Sequence, residues 1–355
     1  MRIVPGSRAN SKEPDHFLFA DKSLGITLSD NATSWGVWRP LCSRCPILRG
    51  LVISSRSKVP VPLRLELAHN QAMPERNVVD AWAQPVLGRT RTDLPEVVRL
   101  LEKSGTAHLL DHKLAPAQLV ALMDAAGIQT LLLSAWCRPS RWLITNDEVA
   151  SHCLEFPDRF AGIAAVDLSN PLAAVRELRR AVRELGFKAL RVVPWLWNLP
   201  PNDRLYYPLY VECIELNIPF CTQVGHTGPL MPSETGRPVP YLDEVALTFP
   251  ELRIVGGHIG HPWTEEMIGL AWKHDNVFID TSAYLPSYYP QPLLQFLKTY
   301  GKDKVLFGSN FPQLPLDRCL QQVAALGLPP EVEHKFLSQN ARLVFNLATS
   351  AAAVT

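Results

Sequence analysis

The chain has 355 residues, and its 35 Lys and Arg nearly balance its 34 Asp and Glu, which leaves a formal net charge of +1. This balance provides no electrostatic field that would attract a polyanion, so we expect no nucleic-acid partner. The longest apolar runs are much shorter than the roughly 20 residues that cross a bilayer, and we expect no membrane partner. Seven scattered cysteines favour reduced thiols and a cytoplasmic location over a disulfide framework.

The N-terminal part of the chain differs in composition from the rest. Residues 1–72 are rich in Ser, Arg and Pro and show no sustained periodicity, which predicts an irregular or disordered extension. Cys42 and Cys45 form a lone C-x-x-C, which could be half of a zinc site or a redox pair. No second pair follows at zinc-ribbon spacing, so we interpret it as incidental. We assign residues 73–348 to the folded domain and residues 349–355 to a C-terminal tail.

From Asn77 onward, short apolar or β-branched runs alternate with amphipathic stretches that carry charged residues. This is the pattern of βα units on a parallel sheet. Eight such runs favour a closed (β/α)8 barrel, the TIM-barrel fold, and an open doubly wound sheet is the alternative. The predicted strands span residues 77–81, 129–135, 160–167, 187–193, 219–224, 252–257, 277–280 and 304–308.

Helix signals support this reading. The segment SNPLAAVRELRRAVRELG begins with Asn170 as a cap and Pro171 in the first turn, carries apolar residues at helical spacing, and stops at Gly186. The segments DRLYYPLYVECIELNIP and PAQLVALMDAAGI have the same character. Each leads into the next predicted strand through a Gly or an Asn.

The predicted strand ends carry polar and aromatic side chains. In a (β/α)8 barrel the catalytic residues lie at the carboxyl ends of the strands, so these side chains are candidates for one common site. Aromatic residues among them favour a flat, unsaturated or aromatic ligand. The candidates are Asp80, Trp82, Gln84, Arg191, Trp195, Gln223, His226, His258, His261, Asp280, Tyr284 and Asn310.

Five segments resemble, in order and spacing, the strand ends of the amidohydrolase-related (amidohydrolase 2) family, in the branch that includes aminocarboxymuconate-semialdehyde decarboxylase. They are GFKALRVVPW, IPFCTQVGHTG, LRIVGGHIGHPW, VFIDTSAY and KVLFGSNFP. The resemblance extends from Asn77 to the NARLVFNL ending. It implies a metallo-dependent-hydrolase-like barrel. That family typically shows Asp-x-His-x-His after its first strand, one His each after strands five and six, and an Asp after strand eight.

The resemblance also implies where this chain departs from the family. Trp82 and Gln84 stand where the first two His ligands of the divalent metal would be, and Asn310 replaces the final Asp. Indole has no lone pair to donate, and an amide oxygen is a poor substitute for imidazole or carboxylate at a zinc-like ion. We therefore expect a degenerate metal site and no tightly bound cofactor. A divalent metal such as zinc would bind weakly at most, at His226 with Gln84 and Asn310.

The two later histidines are retained, and the resemblance implies a catalytic role for each. His258 would transfer a proton, with a pKa near neutrality, and His226 would hold or polarise the substrate. Arg191 would bind a substrate carboxylate with its planar guanidinium, with Gln84, Asn310, Trp82 and Tyr284 as further substrate-binding residues. Structural roles remain open for His226, as a loop residue bonded to backbone, and for Arg191, as a member of an ion pair.

These residues favour a decarboxylase-like carboxy-lyase, or a hydrolase, acting on a small unsaturated or aromatic carboxylate. Two alternatives remain. One is a metal-independent lactone or ester hydrolase of the same family, because an imidazole base and a polarised carbonyl suffice for that chemistry. The other is a catalytically inactive barrel used for binding, which the replaced ligand positions favour. The expected partner is a small-molecule carboxylate, and a homodimer is left open.

Overall fold

The computed structural model describes residues 77–348, which form a barrel of eight parallel strands with helices around it. Each strand pairs with the next one along the chain, so that the order in the sheet is the order in the sequence. The strands are β1 (Val78–Ala83), β2 (Ile128–Ser134), β3 (Phe160–Ala164), β4 (Ala189–Val192), β5 (Phe220–Gln223), β6 (Ile254–Gly257), β7 (Val277–Asp280) and β8 (Val305–Leu306).

The barrel closes between β1 and the segment that contains and follows β8. The backbone N–H of Ala81 donates to Phe307 O at 2.9 Å, and Asn310 N donates to Trp82 O at 2.8 Å. A third bond runs from Gln84 N to Phe311 O at 2.9 Å. These bonds satisfy edge groups that an open sheet would leave unpaired, so the fold is a TIM barrel and not a doubly wound sheet.

Helices connect the strands and cover the outside of the barrel. Short 3-10 turns cover Ala107–Asp111, Glu234–Gly236, His258–Gly260 and Pro286–Tyr288, and a π-helix covers Lys335–Gln339. The α-helices are α1 (Thr90–Asp93), α2 (Pro95–Ser104), α3 (Pro116–Ala126), α4 (Asn146–Glu155), α5 (Pro171–Arg183), α6 (Pro194–Trp197), α7 (Tyr207–Glu215), α8 (Tyr241–Thr248), α9 (Thr264–Lys273), α10 (Gln291–Lys298), α11 (Leu316–Ala325), α12 (Pro330–His334) and α13 (Asn340–Val344).

Alternating strand side chains divide the core into two layers, because successive residues of a strand point to opposite faces. The larger layer fills the space between the strands and the surrounding helices. The smaller layer fills the barrel interior, where Val79, Leu132, Ile163 and Val255 pack together, and Phe345 joins the same cluster just after α13. The interior is therefore a packed core and not a channel.

All eight predicted strands are confirmed, with ends that differ by a few residues. The predicted helix after Asn170 is also confirmed: α5 begins at Pro171, and Asn170 Oδ1 accepts a hydrogen bond from Ala173 N at 3.1 Å. Helix α3 ends at Gly127, whose φ of +81° is a conformation that glycine adopts without strain.

One element was not predicted. After β2, Trp136–Arg138 and Arg141–Ile144 form a two-stranded antiparallel hairpin. Its two-residue turn places Ser140 at a φ of 57°, a conformation for which hairpin turns usually use Gly or Asn. Without that turn signal, the sequence WCRPSRWLI does not stand out from an ordinary loop.

Other predictions lie outside the described residues. These are the extension at residues 1–72 with its Cys42 and Cys45, and the tail at residues 349–355. Within residues 77–348, no helix is both long enough and apolar enough to cross a membrane.

Since all eight strands and the closing hydrogen bonds lie within residues 77–348, we expect a chain without residues 1–72 to fold as a cooperative unit. Its thermal unfolding, followed by circular dichroism, should show a single transition close to that of the full chain. An insoluble product, or a broad melt where the full chain gives a sharp one, would show that the removed residues complete the core.

Candidate active site

A cavity of about 240 Å³ lies at the carboxyl ends of the barrel strands, where the catalytic residues of such barrels are found. Its polar wall comes from segments that follow five different strands. Seven side chains have a predicted catalytic or substrate-binding role, and the structure brings five of them together in the lining. They are Gln84 after β1, His226 after β5, His258 after β6, Tyr284 after β7 and Asn310 after β8.

The remaining wall of the cavity is largely apolar. Leu94, Val97 and Leu101 contribute aliphatic side chains around α2. Trp136 of the hairpin and Trp195 of α6 contribute two indoles, which meet edge to face with ring centroids 6.2 Å apart. Rigid aromatic walls of this kind suit a small flat ligand.

His258 lines the cavity and is held in place by its backbone and by one side-chain hydrogen bond. It directly follows β6 with a φ of +70°, and its Nδ1 lies 2.7 Å from Ser282 Oγ. Burial, assisted by the charge of Arg191, lowers the pKa of His258 to about 3. The imidazole is therefore neutral at physiological pH, which differs from the expectation of a pKa near neutrality. Because Nδ1 is engaged, Nε2 is the ring nitrogen left for a ligand.

His226 is more exposed and is held by a neighbouring loop. Its backbone N–H and its Nδ1 both lie against His261 O, at 2.7 Å and 3.1 Å. A carbonyl only accepts, so Nδ1 carries a proton and Nε2 is the ring nitrogen left for a ligand. Gly225 makes the approach feasible, because a Cβ there would lie 2.5 Å from His261 O. The hydroxyl of Tyr284 lies 3.5 Å from His226 Nδ1.

A chain of side-chain amides runs along one side of the cavity. Gln84 Nε2 donates to Asn310 Oδ1 at 2.9 Å, and Asn310 Nδ2 donates to Gln313 Oε1 at 2.6 Å. Gln313 Nε2 then donates to Ala283 O at 3.3 Å. The sequence predicted Gln84 and Asn310 as site residues but missed Gln313. Its position three residues after Asn310 was the available signal.

A second amide lies across the cavity. Gln223, the last residue of β5, accepts a hydrogen bond at Oε1 from Trp195 Nε1 at 2.7 Å, and its Nε2 lies 3.5 Å from His226 O. Both residues are among the candidates at the predicted strand ends, without a predicted role. The structure shows that they share one buried hydrogen bond in the cavity wall.

Trp82 and Arg191 do not belong to the lining of the cavity, although both were predicted to contact a substrate. Both are almost fully buried in the barrel interior. The Arg191 guanidinium lies 3.5 Å from the centroid of the Trp82 ring, a cation–π contact, and donates to Ala81 O at 3.3 Å. The indole also contacts the His258 ring, with ring centroids 5.1 Å apart and the planes tilted by 58°. The structure thus places this pair beneath the cavity.

Two buried carboxyl groups accompany Arg191 in the interior. Asp80 Oδ1 accepts hydrogen bonds from Trp82 N and Ser309 N, and Asp280 Oδ1 accepts one from Ser282 N. Burial raises the pKa of Asp80 to about 6 and that of Asp280 to about 7, while the positive charge of Arg191 opposes both rises. These carboxyl groups are therefore weaker acids than exposed ones.

The donor set does not fit a tightly held divalent metal. Within residues 77–348, no group of three His, Cys, Asp or Glu side chains is placed to hold a metal ion. Asn310 Oδ1 is already the acceptor for Gln84, and the Trp82 indole offers no lone pair. The two imidazoles of His226 and His258 fall short of the three protein ligands of a catalytic zinc site.

We therefore expect the purified protein to hold well under one equivalent of divalent metal, because two imidazoles and neutral amides bind such ions weakly. Elemental analysis after dialysis against a chelator is the measurement. Zinc or manganese that remains at one equivalent after dialysis would contradict the prediction.

Trp82 fits under the cavity only because residue 257 is glycine. A Cβ at Gly257 would lie 2.5 Å from the Trp82 ring, closer than real Cβ contacts come. We expect Gly257→Ala to lower the free energy of unfolding by about 1 to 3 kcal/mol, the usual cost of overpacking. Urea unfolding of the variant and the parent chain measures this difference in free energy.

Gly269→Ala is the matched control, because Gly269 lies inside α9 and an added Cβ there meets nothing within 4 Å. Alanine is the better helix former, so this control should be neutral or slightly stabilising. If the two variants had the same stability, the close packing of Trp82 on Gly257 would be refuted.

Comparison with known proteins agrees with the barrel fold and with the family resemblance of the sequence. A family model described as amidohydrolase (Amidohydro_2) matches residues 110–347. Gamma-resorcylate decarboxylase of Rhodococcus jostii (strain RHA1) is 27% identical over 290 residues, which cover 64% of this chain and 86% of the relative. A hydratase, 2-keto-4-carboxy-3-hexenedioate hydratase of Sphingobium sp. (strain NBRC 103272 / SYK-6), is also 27% identical, over 234 residues that cover 54% of this chain and 67% of the relative.

Two solved structures support the fold. An uncharacterized TIM-barrel protein from Bordetella bronchiseptica has a TM-score of 0.67 and 22% identity, and the match covers 76% of this chain and 98% of that chain. A 2,6-dihydroxybenzoate decarboxylase in complex with 2,6-dihydroxybenzoate has a TM-score of 0.59 and 22% identity, with 76% and 99% covered. At such identities these likenesses establish the barrel and leave the reaction to the site itself.

Proposed function

Because the chain belongs to the amidohydrolase family, we propose that it is an enzyme that acts in this cavity on a small aromatic or unsaturated substrate, without a tightly bound metal ion. The observation that carries the proposal is the position of His258. Its imidazole lines the cavity at the strand ends, with Nδ1 bonded to Ser282 and Nε2 left for a ligand. A neutral imidazole held in this way offers a nitrogen lone pair to a proton, and burial makes it a weaker base than an exposed histidine.

In this proposal His258 moves the proton and the surrounding polar groups orient the substrate. Neutral His258 accepts a proton at Nε2 from a bound water or from the substrate. Ser282 fixes the ring, since its hydroxyl lies 2.7 Å from Nδ1. The Nε2 of Gln223 supplies an oriented donor, which stabilises developing negative charge, while Gln84 and His226 hold the substrate in position.

The first candidate reaction is carbon–carbon lysis, namely decarboxylation of a small aromatic or unsaturated carboxylate. The similarity to gamma-resorcylate decarboxylases favours it. In this reaction His258 Nε2 accepts a proton from a bound water and delivers it to the ring carbon. The bond between that carbon and the carboxylate breaks, its electron pair remains with the carbon, carbon dioxide leaves, and hydroxide is released to solvent.

The second candidate is hydrolysis of an uncharged lactone or ester. The lining of the cavity favours it, because no Lys or Arg of the described chain contributes to that lining. His258 would accept a proton from a water molecule whose oxygen attacks the carbonyl carbon. The carbonyl carbon then forms a bond to the water oxygen, the bond between the carbonyl carbon and the ester oxygen breaks, and that oxygen leaves as the alcohol with the proton from His258 Nε2.

A turnover screen with and without chelator tests the proposal. Aromatic carboxylates such as 2,6-dihydroxybenzoate are assayed by carbon dioxide release, and uncharged aromatic lactones and esters by acid release. Turnover that a chelator does not affect supports a metal-independent enzyme, and the active substrate class selects the reaction. Turnover that appears only with added zinc or manganese would refute the metal-independent part. Binding without turnover across both panels would instead support a barrel used for binding.

We expect His258→Asn to lower turnover by ~100-fold or more, the usual contribution of a positioned acid or base. Folding should hardly change, because Asn tolerates the positive φ of this position better than most residues. Steady-state kinetics and thermal unfolding are measured on the same preparation, with the exposed His334→Asn as control. A variant that loses about 1 to 3 kcal/mol of stability yet keeps its turnover per folded molecule would assign His258 a purely structural role.

A further inference from the structure

The charges around the cavity are unusual for a site that binds carboxylates. Asp93 is the one acidic residue of the described lining, and its carboxylate pairs with Arg89 and Arg141 at 3.1 Å and 2.7 Å. Neither of these arginines is itself part of the lining. The guanidinium of Arg191 is separated from the cavity by its position in the barrel interior against Trp82. An anionic ligand would therefore meet a carboxylate on the wall and no Lys or Arg.

The orientation of Gln84 is fixed by the amide chain. The chain ends at the carbonyl of Ala283, which can only accept, so Gln313 must donate to it with Nε2. Gln313 then accepts from Asn310 at Oε1, and Asn310 accepts from Gln84 at Oδ1. Gln84 is left with Oε1, a neutral acceptor, and with the second hydrogen of Nε2 for a ligand in the cavity that it lines.

The orientation of the Gln223 amide is also fixed by its partner. The indole N–H of Trp195 can only donate, so Gln223 must turn its Oε1 toward it at 2.7 Å. One hydrogen of Gln223 Nε2 points to His226 O at the long distance of 3.5 Å. The second hydrogen is a donor for a ligand in the cavity that Gln223 also lines.

From these contacts we infer that the cavity selects an uncharged planar ligand that carries a hydrogen-bond donor for Gln84 and an acceptor for Gln223. Hydroxylated aromatic esters, amides and lactones have this chemistry. An ionised carboxylate loses its hydration on entering and gains no Lys or Arg partner, which is costly in an apolar surrounding. The inference rests on the proposed function and selects the hydrolytic candidate over the lyase.

Binding of two matched probes to the full chain tests the inference. 3-Hydroxybenzamide and 3-hydroxybenzoate have nearly the same shape and differ in charge near neutral pH. Isothermal titration calorimetry should give a Kd for the amide at least about tenfold lower than for the carboxylate. Equal affinities, or tighter binding of the carboxylate, would overturn the inference.

Two variants test the assigned donors and acceptors. Gln84→Met and Gln223→Met keep the length of the side chain and remove its amide, so each should weaken 3-hydroxybenzamide by about 3- to 10-fold, the effect of one neutral hydrogen bond. Gln295→Met is the control, because Gln295 is an exposed residue of α10 remote from the lining. Thermal unfolding confirms that each variant is folded. Unchanged affinity in both folded cavity variants would overturn the assignment.

The outcomes also separate this inference from the proposed function. A preference for 3-hydroxybenzoate overturns the uncharged ligand and leaves an enzyme for aromatic carboxylates standing. If neither probe binds, both the inference and the proposed function are overturned, because each requires a planar ligand in this cavity. A preference for the amide, together with turnover of an uncharged ester or lactone, supports both.

Discussion

The seam between β1 and the segment after β8 is the constraint on which the site depends. Its backbone hydrogen bonds link Trp82 to Asn310 and Gln84 to Phe311. They bring Gln84 and Asn310, which are 226 positions apart in sequence, into direct side-chain contact. Asn310 adopts a φ of 64° there, which Asn tolerates better than most residues. One seam thus closes the barrel and assembles the amide chain of the cavity.

The barrel interior below this seam carries a charge arrangement of its own. The Arg191 guanidinium stacks on Trp82 and shares the interior with Asp80 and Asp280. Its positive charge helps keep His258 neutral and opposes the burial-driven rise in the pKa of both carboxyl groups. A buried guanidinium therefore modifies the larger effect of burial on protonation in this barrel, without itself forming part of the cavity wall.

Much of the fold and part of the site follow from the sequence. The eight strands are predictable because buried parallel strands produce apolar runs of characteristic length between helices. The strand-end histidines His226 and His258 follow from the same pattern. The sequence does not predict how deeply a side chain is buried. Trp82 and Gln84 share a strand face by alternation, yet Trp82 is buried under the cavity and Gln84 lines it. Amide orientation depends on tertiary partners such as Ala283 O, which periodicity cannot reveal.

The hairpin after β2 forms part of the cavity wall without belonging to the barrel sheet. It contributes Trp136 and Ile144 to the lining, and salt bridges from Arg138 to Glu96 and from Arg141 to Asp93 fasten it to the segment around α2. None of its residues pairs with a barrel strand. Substitutions in the hairpin can therefore reshape the ligand space while the strand pairing of the barrel is retained, so the substrate range of this scaffold can change apart from the sheet that holds the histidines.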